Sequence, residues 1–338
     1  MAAKWILRKG GPKSGFRYVH EDGRAVGDAR TLARIDAIRI PPAWRDVHIA
    51  ASPGLAIQAW GFDARGRRQY RYHDRAYEKG QLRKYYRVRM LAKELPRARA
   101  ILERDAARRT PTRDAVAALV VRLISEGYFR VGGDRAEKEN GTFGITTLRK
   151  KHVRCEEGHV VFRYVGKGGK KQRQVVANRE LSRAVERLLK TPGSRIFQWK
   201  DADGWHALGA RDVNAYIHER IGPSYTAKDF RTWGGTLRAA TVLAELGPAR
   251  SPTEAKRNVA MAMRMVSADL GNTPTICRKS YVHPMVVARY LDEGETIRLA
   301  RARGKPAERH IPEEKALIAF LDRHFPERRR KPRVVAAA

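Results

Sequence analysis

The spacing of apolar residues changes character near Glu78, and this limits the fold to two parts of different kind. Upstream, apolar residues come in short runs broken by Gly, Pro and Asp. Residues 4–8 and 16–20 read as short strands, and residues 57–60 and 69–73 flank the turn Asp63-Ala-Arg-Gly66 as a hairpin. A short helix is expected over residues 31–38, ending before Pro41-Pro42, which must be extended. Downstream the period becomes helical. Residues 75–109 read as an exposed, basic helix joining the two parts. Residues 114–126 carry Val116, Leu119, Val120, Leu123 and Ile124 on one face, with Gly127 expected as the C′ residue. Thr226-Ala-Lys-Asp229 and Ser251-Pro-Thr-Glu254 read as helix starts. The second of these opens a helix with Val259, Met263, Val266 and Leu270 at helical spacing, stopped at Gly271. Residues 160–165 and 174–176 read as strands joined by Gly166-Lys-Gly-Gly-Lys-Lys171. The expected class is therefore α+β. Residues 1–78 form a small β-rich N-terminal domain, residues 79–327 a larger, mainly α-helical domain, and residues 328–338 a basic disordered tail.

Charge says what such a chain meets. Lys and Arg number 70 against 36 Asp and Glu, a formal charge of +34 spread along the sequence. A polyanion is the expected partner, because neutralised phosphates release condensed counterions. Membrane association would want a long apolar span or one strongly basic amphipathic helix, and the sequence has neither. The N-terminal residues lack an apolar core of signal-peptide length. Cys155 and Cys277 are the only cysteines, far apart and without metal-ligand spacing. A reducing, cytoplasmic setting and no metal site are expected.

Five side chains would suit transfer of a phosphodiester. Tyr281, in Arg278-Lys-Ser-Tyr-Val-His283, offers a nucleophilic phenol. Arg130, after the stop at Gly127, and Arg231, in Lys228-Asp-Phe-Arg-Thr-Trp233, offer guanidinium groups that keep their protons. Lys167, among glycines in the hairpin turn, could protonate a leaving oxygen. Asn272, after Gly271, could donate to a phosphate oxygen. Singly, each has an ordinary explanation: a solvated Arg, a turn Lys, a capping Asn, a half-buried Tyr. Composition and periodicity alone lead only to a basic, mostly helical, nucleic-acid-binding protein.

The order and wording of the segments go further. Gly61-Phe-Asp-Ala-Arg-Gly-Arg-Arg-Gln-Tyr-Arg-Tyr-His73, Phe129-Arg-Val-Gly132 with Glu139-Asn-Gly-Thr-Phe-Gly-Ile-Thr-Thr-Leu148, Lys228-Asp-Phe-Arg-Thr-Trp233, and Leu270-Gly-Asn-Thr-Pro274 with Lys279-Ser-Tyr281 follow one another in this order. From Ile40-Pro-Pro-Ala-Trp44 to His283-Pro284 the chain resembles the poxvirus-like bacterial branch of type IB DNA topoisomerases. The resemblance implies a β-rich N-terminal domain and a helical catalytic domain of the tyrosine recombinase and type IB topoisomerase type, closing as a clamp around double-stranded DNA. It implies Tyr281 as nucleophile, Arg130 and Arg231 as the pair holding the scissile phosphate, and Lys167 as general acid. Asn272 stands where the poxvirus enzymes carry His, which keeps a hydrogen bond to a non-bridging oxygen but not proton transfer. It implies a monomer acting at the nucleoid without ATP, with Mg²⁺ aiding product release at most.

In this setting Arg65, Arg67, Arg68, Tyr70 and Tyr72 of the first hairpin, and Lys228, are expected to contact DNA. In the segment Gly132-Gly-Asp-Arg-Ala-Glu-Lys138, Gly133 and Ala136 are too short to reach bases, so a strict cleavage sequence is not expected. A tyrosine recombinase or integrase is the alternative. It uses the same chemistry but usually presents His-x-x-Arg where this chain has Lys228-Asp-Phe-Arg231. A non-catalytic DNA-packaging protein would need the charge but not Tyr281.

Overall fold

The computed structural model describes residues 5–299 and 310–325. The expected tail, residues 328–338, and the first residue of the expected strand 4–8 lie outside the described residues. The chain divides into two compact units, Met1–Lys84 and Tyr85–Ala338. The division falls six residues after the boundary expected at 78, inside a long helix. Among the described residues no helix is long and apolar enough to cross a membrane.

The first unit is a five-stranded antiparallel sheet with one helix. In chain order its elements are β1 (Trp5–Gly11), β2 (Gly15–His20), α1 (Ala29–Ala37), β3 (Arg45–Ala50), β4 (Ile57–Phe62) and β5 (Arg68–Tyr72), and the sheet order is β2-β1-β3-β4-β5. The central strand β3 was not anticipated. Its sequence, Arg-Asp-Val-His-Ile-Ala, puts only Val47, Ile49 and Ala50 inside, too short an apolar pattern to stand out. Val47 and Ile49 pack with Ile6, Val26, Ile35 and Ala59 as a small separate core. Asp28 caps α1 through Thr31 N, at 2.8 Å.

The second unit is helical around a small sheet. It holds α2 (Asp74–Ala106), α3 (Arg113–Gly127), α4 (Asp134–Asn140), β6 (Val153–Glu156), β7 (His159–Val165), β8 (Lys171–Val176) and α5 (Arg179–Leu189). It continues with β9 (Gln198–Asp201), β10 (Gly204–Ala207), α6 (Ala210–Arg220), α7 (Ala227–Leu246), α8 (Pro252–Leu270), α9 (Pro274–Ser280), α10 (Pro284–Glu293) and α11 (Pro312–His324). Strands β6, β7 and β8 form one antiparallel sheet and β9 and β10 another.

Two helices differ from expectation. The basic segment read as exposed is α2, and from Tyr85 onward it buries Val88, Leu91, Ala92, Leu95, Ala98 and Leu102 along one face. The density of Arg and Lys between those positions hid the apolar stripe. Pro96 lies within this helix and cannot donate to the carbonyl of Ala92. The ring Nε2 of His310 donates to that oxygen instead, at 2.6 Å. Helix α3 is also not a one-faced helix. Ala115, Ala117, Ala118 and Val121 are as buried as the five residues expected on its apolar face, so α3 is the central rod of the unit.

Gly127 is not the left-handed stop expected of it. It is the last helical residue, and a Cβ there would overlap the Phe129 ring and lie 2.9 Å from Val176. The left-handed residue is Tyr128, at φ 55° and ψ 32°. For a residue with a side chain this conformation costs about 1–2 kcal/mol, and it occurs beside the candidate site.

Helix α7 begins with a capping box. Asp229 Oδ2 accepts from Thr226 N at 2.9 Å and from Thr226 Oγ1 at 2.8 Å. Asp229 is 1 % exposed, and Arg87 of α2 grips both its oxygens, at 2.8 and 3.1 Å. Loss of this buried carboxylate would strand the guanidinium and release the first turn of α7. Asp229→Ala is expected to lower stability by about 3 kcal/mol, read as a lower urea midpoint at unchanged slope. A loss under about 0.5 kcal/mol, as for an ordinary surface change, would contradict this role.

Candidate active site

Arg130, Arg231, Asn272 and Tyr281 come together where α3, α7 and α8 end or begin. Arg231 lies in the second turn of α7 and is 3 % exposed. Its Nη1 donates to Tyr128 O and its Nη2 to Leu270 O, at 3.0 Å. The strained turn at Tyr128 therefore aims a carbonyl at the guanidinium. Arg130 donates through Nη2 to Gly271 O, at 3.0 Å, and to Asn272 Oδ1. All three carbonyls lie at or just past a helix C-terminus, where the peptide dipoles leave partial negative charge.

Among the described residues, none of the ion pairs involves Arg130 or Arg231. Burial pushes the Arg231 guanidinium below its ordinary pKa; the phenol of Tyr281 opposes that shift and the cation of Arg130 adds to it. Guanidinium groups nonetheless stay protonated near neutrality. Two donors here are also buried without an acceptor. Arg231 Nε has no partner, and Asn272 Nδ2 has none beyond the weakly accepting thiol of Cys277. The site thus holds two adjacent cations, offset only by dipoles, with hydrogen-bond donors to spare. An anion with several acceptor oxygens would satisfy those donors.

Tyr281 is half-buried directly after α9. Its ring centroid is 5.3 Å from the Arg231 guanidinium carbon and 5.8 Å from Lys228 Nζ. The expected contact residue Lys228 is therefore a neighbour of Tyr281. Backbone placement comes from α7, where two consecutive glycines remove side chains from the helix face. A Cβ at Gly234 would overlap the Tyr128 ring, and one at Gly235 would lie 2.9 Å from Tyr281 O. Thr236 Oγ1 donates to Thr232 O at 2.7 Å, accepts from His283 N at 3.1 Å and lies 3.3 Å from Tyr281 O. Sequence reasoning passed over this set. Two adjacent glycines inside a helix cost about 1 kcal/mol each relative to Ala, and that was the available signal of close approach.

The stretch carrying Arg130 is held by a backbone crossing. A Cβ at Gly144 would overlap the backbone of Gly132, and Ile145 N donates to Arg130 O at 2.8 Å. Helix α4, just beyond, is tied down by Arg149 on Glu137 at 2.8 Å and by Arg195 on both Asp134 and Glu137.

Lys167 lies at the exposed tip of the β7–β8 turn, where Gly168 and Gly169 take the left-handed conformation, at φ 77° and 75°. No hydrogen bond or ion pair among the described residues joins Lys167 to the other four. The turn reaches them through Lys170, whose Nζ donates to Asn272 O at 3.3 Å.

The first-hairpin residues belong to the other unit. Tyr70 and Tyr72 are exposed, at 40 % and 52 %, with ring centroids 6.0 Å apart. The guanidinium of Arg68 lies 3.8 Å from the Trp60 ring centroid. Arg67 is engaged by Asp63 at 2.7 Å, and this contact, with the turn's own N–H groups, holds the half-buried Asp63 carboxyl down at about 2. Asp63 Oδ1 also accepts from Arg65 N and Arg67 N, both at 3.0 Å, so it shapes the loop that displays these arginines.

Comparison with known proteins defines the class. Residues 74–306 match the family described as "Eukaryotic DNA topoisomerase I, catalytic core", and residues 15–63 match "Bacterial DNA topoisomerase IB, N-terminal domain". The chain is 31 % identical over 293 residues to DNA topoisomerase 1B of Acanthamoeba polyphaga mimivirus, covering 84 % of this chain and 87 % of that protein. It is 24 % identical over 245 residues to DNA topoisomerase 1B of vaccinia virus (strain Copenhagen), covering 69 % and 72 %. The chain belongs to the type IB DNA topoisomerases, with a small β-sheet N-terminal region and a helical catalytic core. The recombinase and packaging readings give way to it.

Cys277 lies four residues before Tyr281, fully buried, and burial pushes its thiol up to about 11. At pH 8 it is a neutral, enclosed thiol. N-ethylmaleimide is expected to label Cys155, which is half-buried, before Cys277, and Cys277 only on unfolding. Labelling of Cys277 in the folded protein at the rate of a free thiol, read by peptide mass spectrometry, would contradict the packing described.

Proposed function

We propose that the chain relaxes supercoiled DNA by swapping one phosphoester for another at Tyr281. The phenol oxygen attacks the scissile phosphorus as the P–O5′ bond breaks, leaving the 3′ phosphate on tyrosine and a free 5′-hydroxyl. Torque then turns the free end about the intact strand. Attack of the 5′-hydroxyl reverses the exchange and releases Tyr281. The phosphotyrosine keeps the ester bond energy, so no ATP is consumed.

The observation that carries this reading is the pair of guanidinium groups without an acidic partner, beside two unsatisfied donors and a tyrosine. Charge builds on the non-bridging oxygens as the fifth oxygen approaches phosphorus. Arg130, Arg231 and Asn272 Nδ2 are the donors for that charge, fixed before substrate arrives. Asn cannot supply a proton, so Asn272 acts by donation alone. Lys167 is the general acid that delivers a proton to O5′, and its position on a glycine turn gives it reach. Neither a metal nor ATP has a role in these steps; Mg²⁺ at most speeds product release.

The two units enclose duplex DNA as a clamp, and the protein acts as a monomer at the nucleoid. Arg65, Arg68, Tyr70 and Tyr72 meet the duplex from the N-terminal unit, with Arg67 shaping their loop, and Lys228 meets it beside Tyr281. Backbone contacts of this kind give affinity without sequence readout.

Two experiments test the assignments. Tyr281→Phe is expected to bind duplex DNA as the parent does, yet to leave plasmid supercoiled and form no covalent adduct in denaturing gels. Persisting relaxation would remove Tyr281 from the chemistry. Lys167→Ala is expected to slow cleavage by about 10²–10⁴-fold on ordinary DNA. The defect should largely vanish on a substrate whose leaving 5′ oxygen is sulfur, because a thiolate needs little protonation. Equal defects on both substrates would exclude Lys167 as the acid.

A further inference from the structure

Strand β8 presents two glutamines on one face, Gln172 opposite Tyr164 and Gln174 opposite Phe162. Neither suits a buried strand, which favours β-branched and aromatic residues. Gln174 is accounted for by its bonds. Its Oε1 accepts from Tyr164 OH at 2.6 Å, and its Nε2 donates to Gly127 O at 2.7 Å, fastening the hairpin to the end of α3. Gln172 is 9 % exposed and makes one long bond, from Nε2 to Lys170 O at 3.4 Å. Its surroundings are more telling. A Cβ at Gly166 would lie 2.8 Å from Gln172 Cγ, and a Cβ at Gly271 would overlap Gln172 Oε1. The flat amide is packed between two glycine backbones, one opening the lysine turn and the other directly preceding Asn272.

Gly166 is the informative one. Its backbone, at φ −93° and ψ −174°, is open to any residue, so no turn geometry requires glycine there. What requires it is the room taken by Gln172. Otherwise the turn is held by its own bonds and by the long contact of Lys170 Nζ with Asn272 O, at 3.3 Å. Gly166 N donates to Lys170 O at 2.8 Å, Gly169 N donates to Gly166 O at 3.1 Å, and Gly168 and Gly169 are left-handed.

We propose that Gln172 is a positioning residue that sets the lysine turn against Asn272, so that proton delivery by Lys167 depends on a side chain with no titratable proton of its own. This rests on Lys167 being the general acid. Without Gln172, the turn keeps its own hydrogen bonds but loses its register on Gly271. The acid then samples positions away from the leaving oxygen, while the phosphate held by Arg130, Arg231 and Asn272 is undisturbed.

The test is single-turnover cleavage by the full chain, on paired substrates with oxygen or sulfur at the leaving 5′ position. Gln172→Ala and the volume-keeping Gln172→Leu are expected to cleave the oxygen substrate about ten- to a hundredfold slower than the parent, the scale set by misplacing a reacting group. On the sulfur substrate both should approach the parent rate. Gly166→Ala, whose new methyl group displaces Gln172 from the turn side, should behave the same way. Equal loss on both substrates, or no loss on either, overturns the proposal. Lys167→Ala run alongside separates the two failures. If sulfur rescues Lys167→Ala but not Gln172→Ala, only the positioning role falls. If sulfur fails to rescue Lys167→Ala, the acid assignment falls and takes the positioning role with it.

Discussion

Among the described residues no carboxylate neutralises the buried cation of Arg231, and the catalytic unit is organised around that fact. Desolvating an ion costs several kcal/mol, and hydrogen bonds to a charged group return about 1.5–3 kcal/mol each. The two bonds from Arg231 to Tyr128 O and Leu270 O offset most of the cost and leave the charge in place. A carboxylate in their place would neutralise the cation, and in the proposed reaction an incoming phosphate would have to displace it. Helix-end carbonyls hold the guanidinium still while leaving its field available. Arg130 repeats the arrangement on Gly271 O, so two cations stand side by side.

The surrounding architecture holds that arrangement. Helix α3 is buried along most of its length and ends at the Tyr128 carbonyl that Arg231 grips. The left-handed backbone at Tyr128 is local strain at the place where a carbonyl has to turn toward Arg231. Gly234 gives the Tyr128 ring its space, and Gly235 lets the Tyr281 backbone lie against α7. The bidentate grip of Arg87 on Asp229 anchors the first turn of the same helix, two residues before Arg231. Arg99, in the same unit, is held differently, by a bidentate ion pair with the buried Glu314. Among the described residues, Arg130 and Arg231 form no such ion pair and rest on helix-end carbonyls instead.

The helices that carry the site were legible in the sequence because their ends are marked. The box at Thr226-Ala-Lys-Asp229, the start at Ser251-Pro-Thr-Glu254 and the left-handed Gly271 all fall where expected. The β7–β8 hairpin was legible from its glycine turn. Other features were hidden for physical reasons. Gly127 reads as a stop because Gly usually is one, but here it makes room for Phe129 while Tyr128 takes the strained conformation. The buried stripe of α2 is masked by the arginines between its apolar positions. Arg130, Lys167, Arg231, Asn272 and Tyr281 were nameable only through resemblance, since nothing in the spacing of five residues across 152 positions shows that four of them meet. Gln172 and Thr236 have no sequence signal, because their roles depend on which backbone they touch.

The account turns on which atom carries the DNA while one strand is open. Trapping the cleaved complex with denaturant, digesting both protein and DNA, and sequencing the nucleotide-bearing peptide by tandem mass spectrometry reads that atom directly. The expected peptide carries a 3′-linked nucleotide on the phenol of Tyr281. A nucleotide on any other side chain, a 5′ linkage, or an unmodified Tyr281 in every trapped complex would contradict the account.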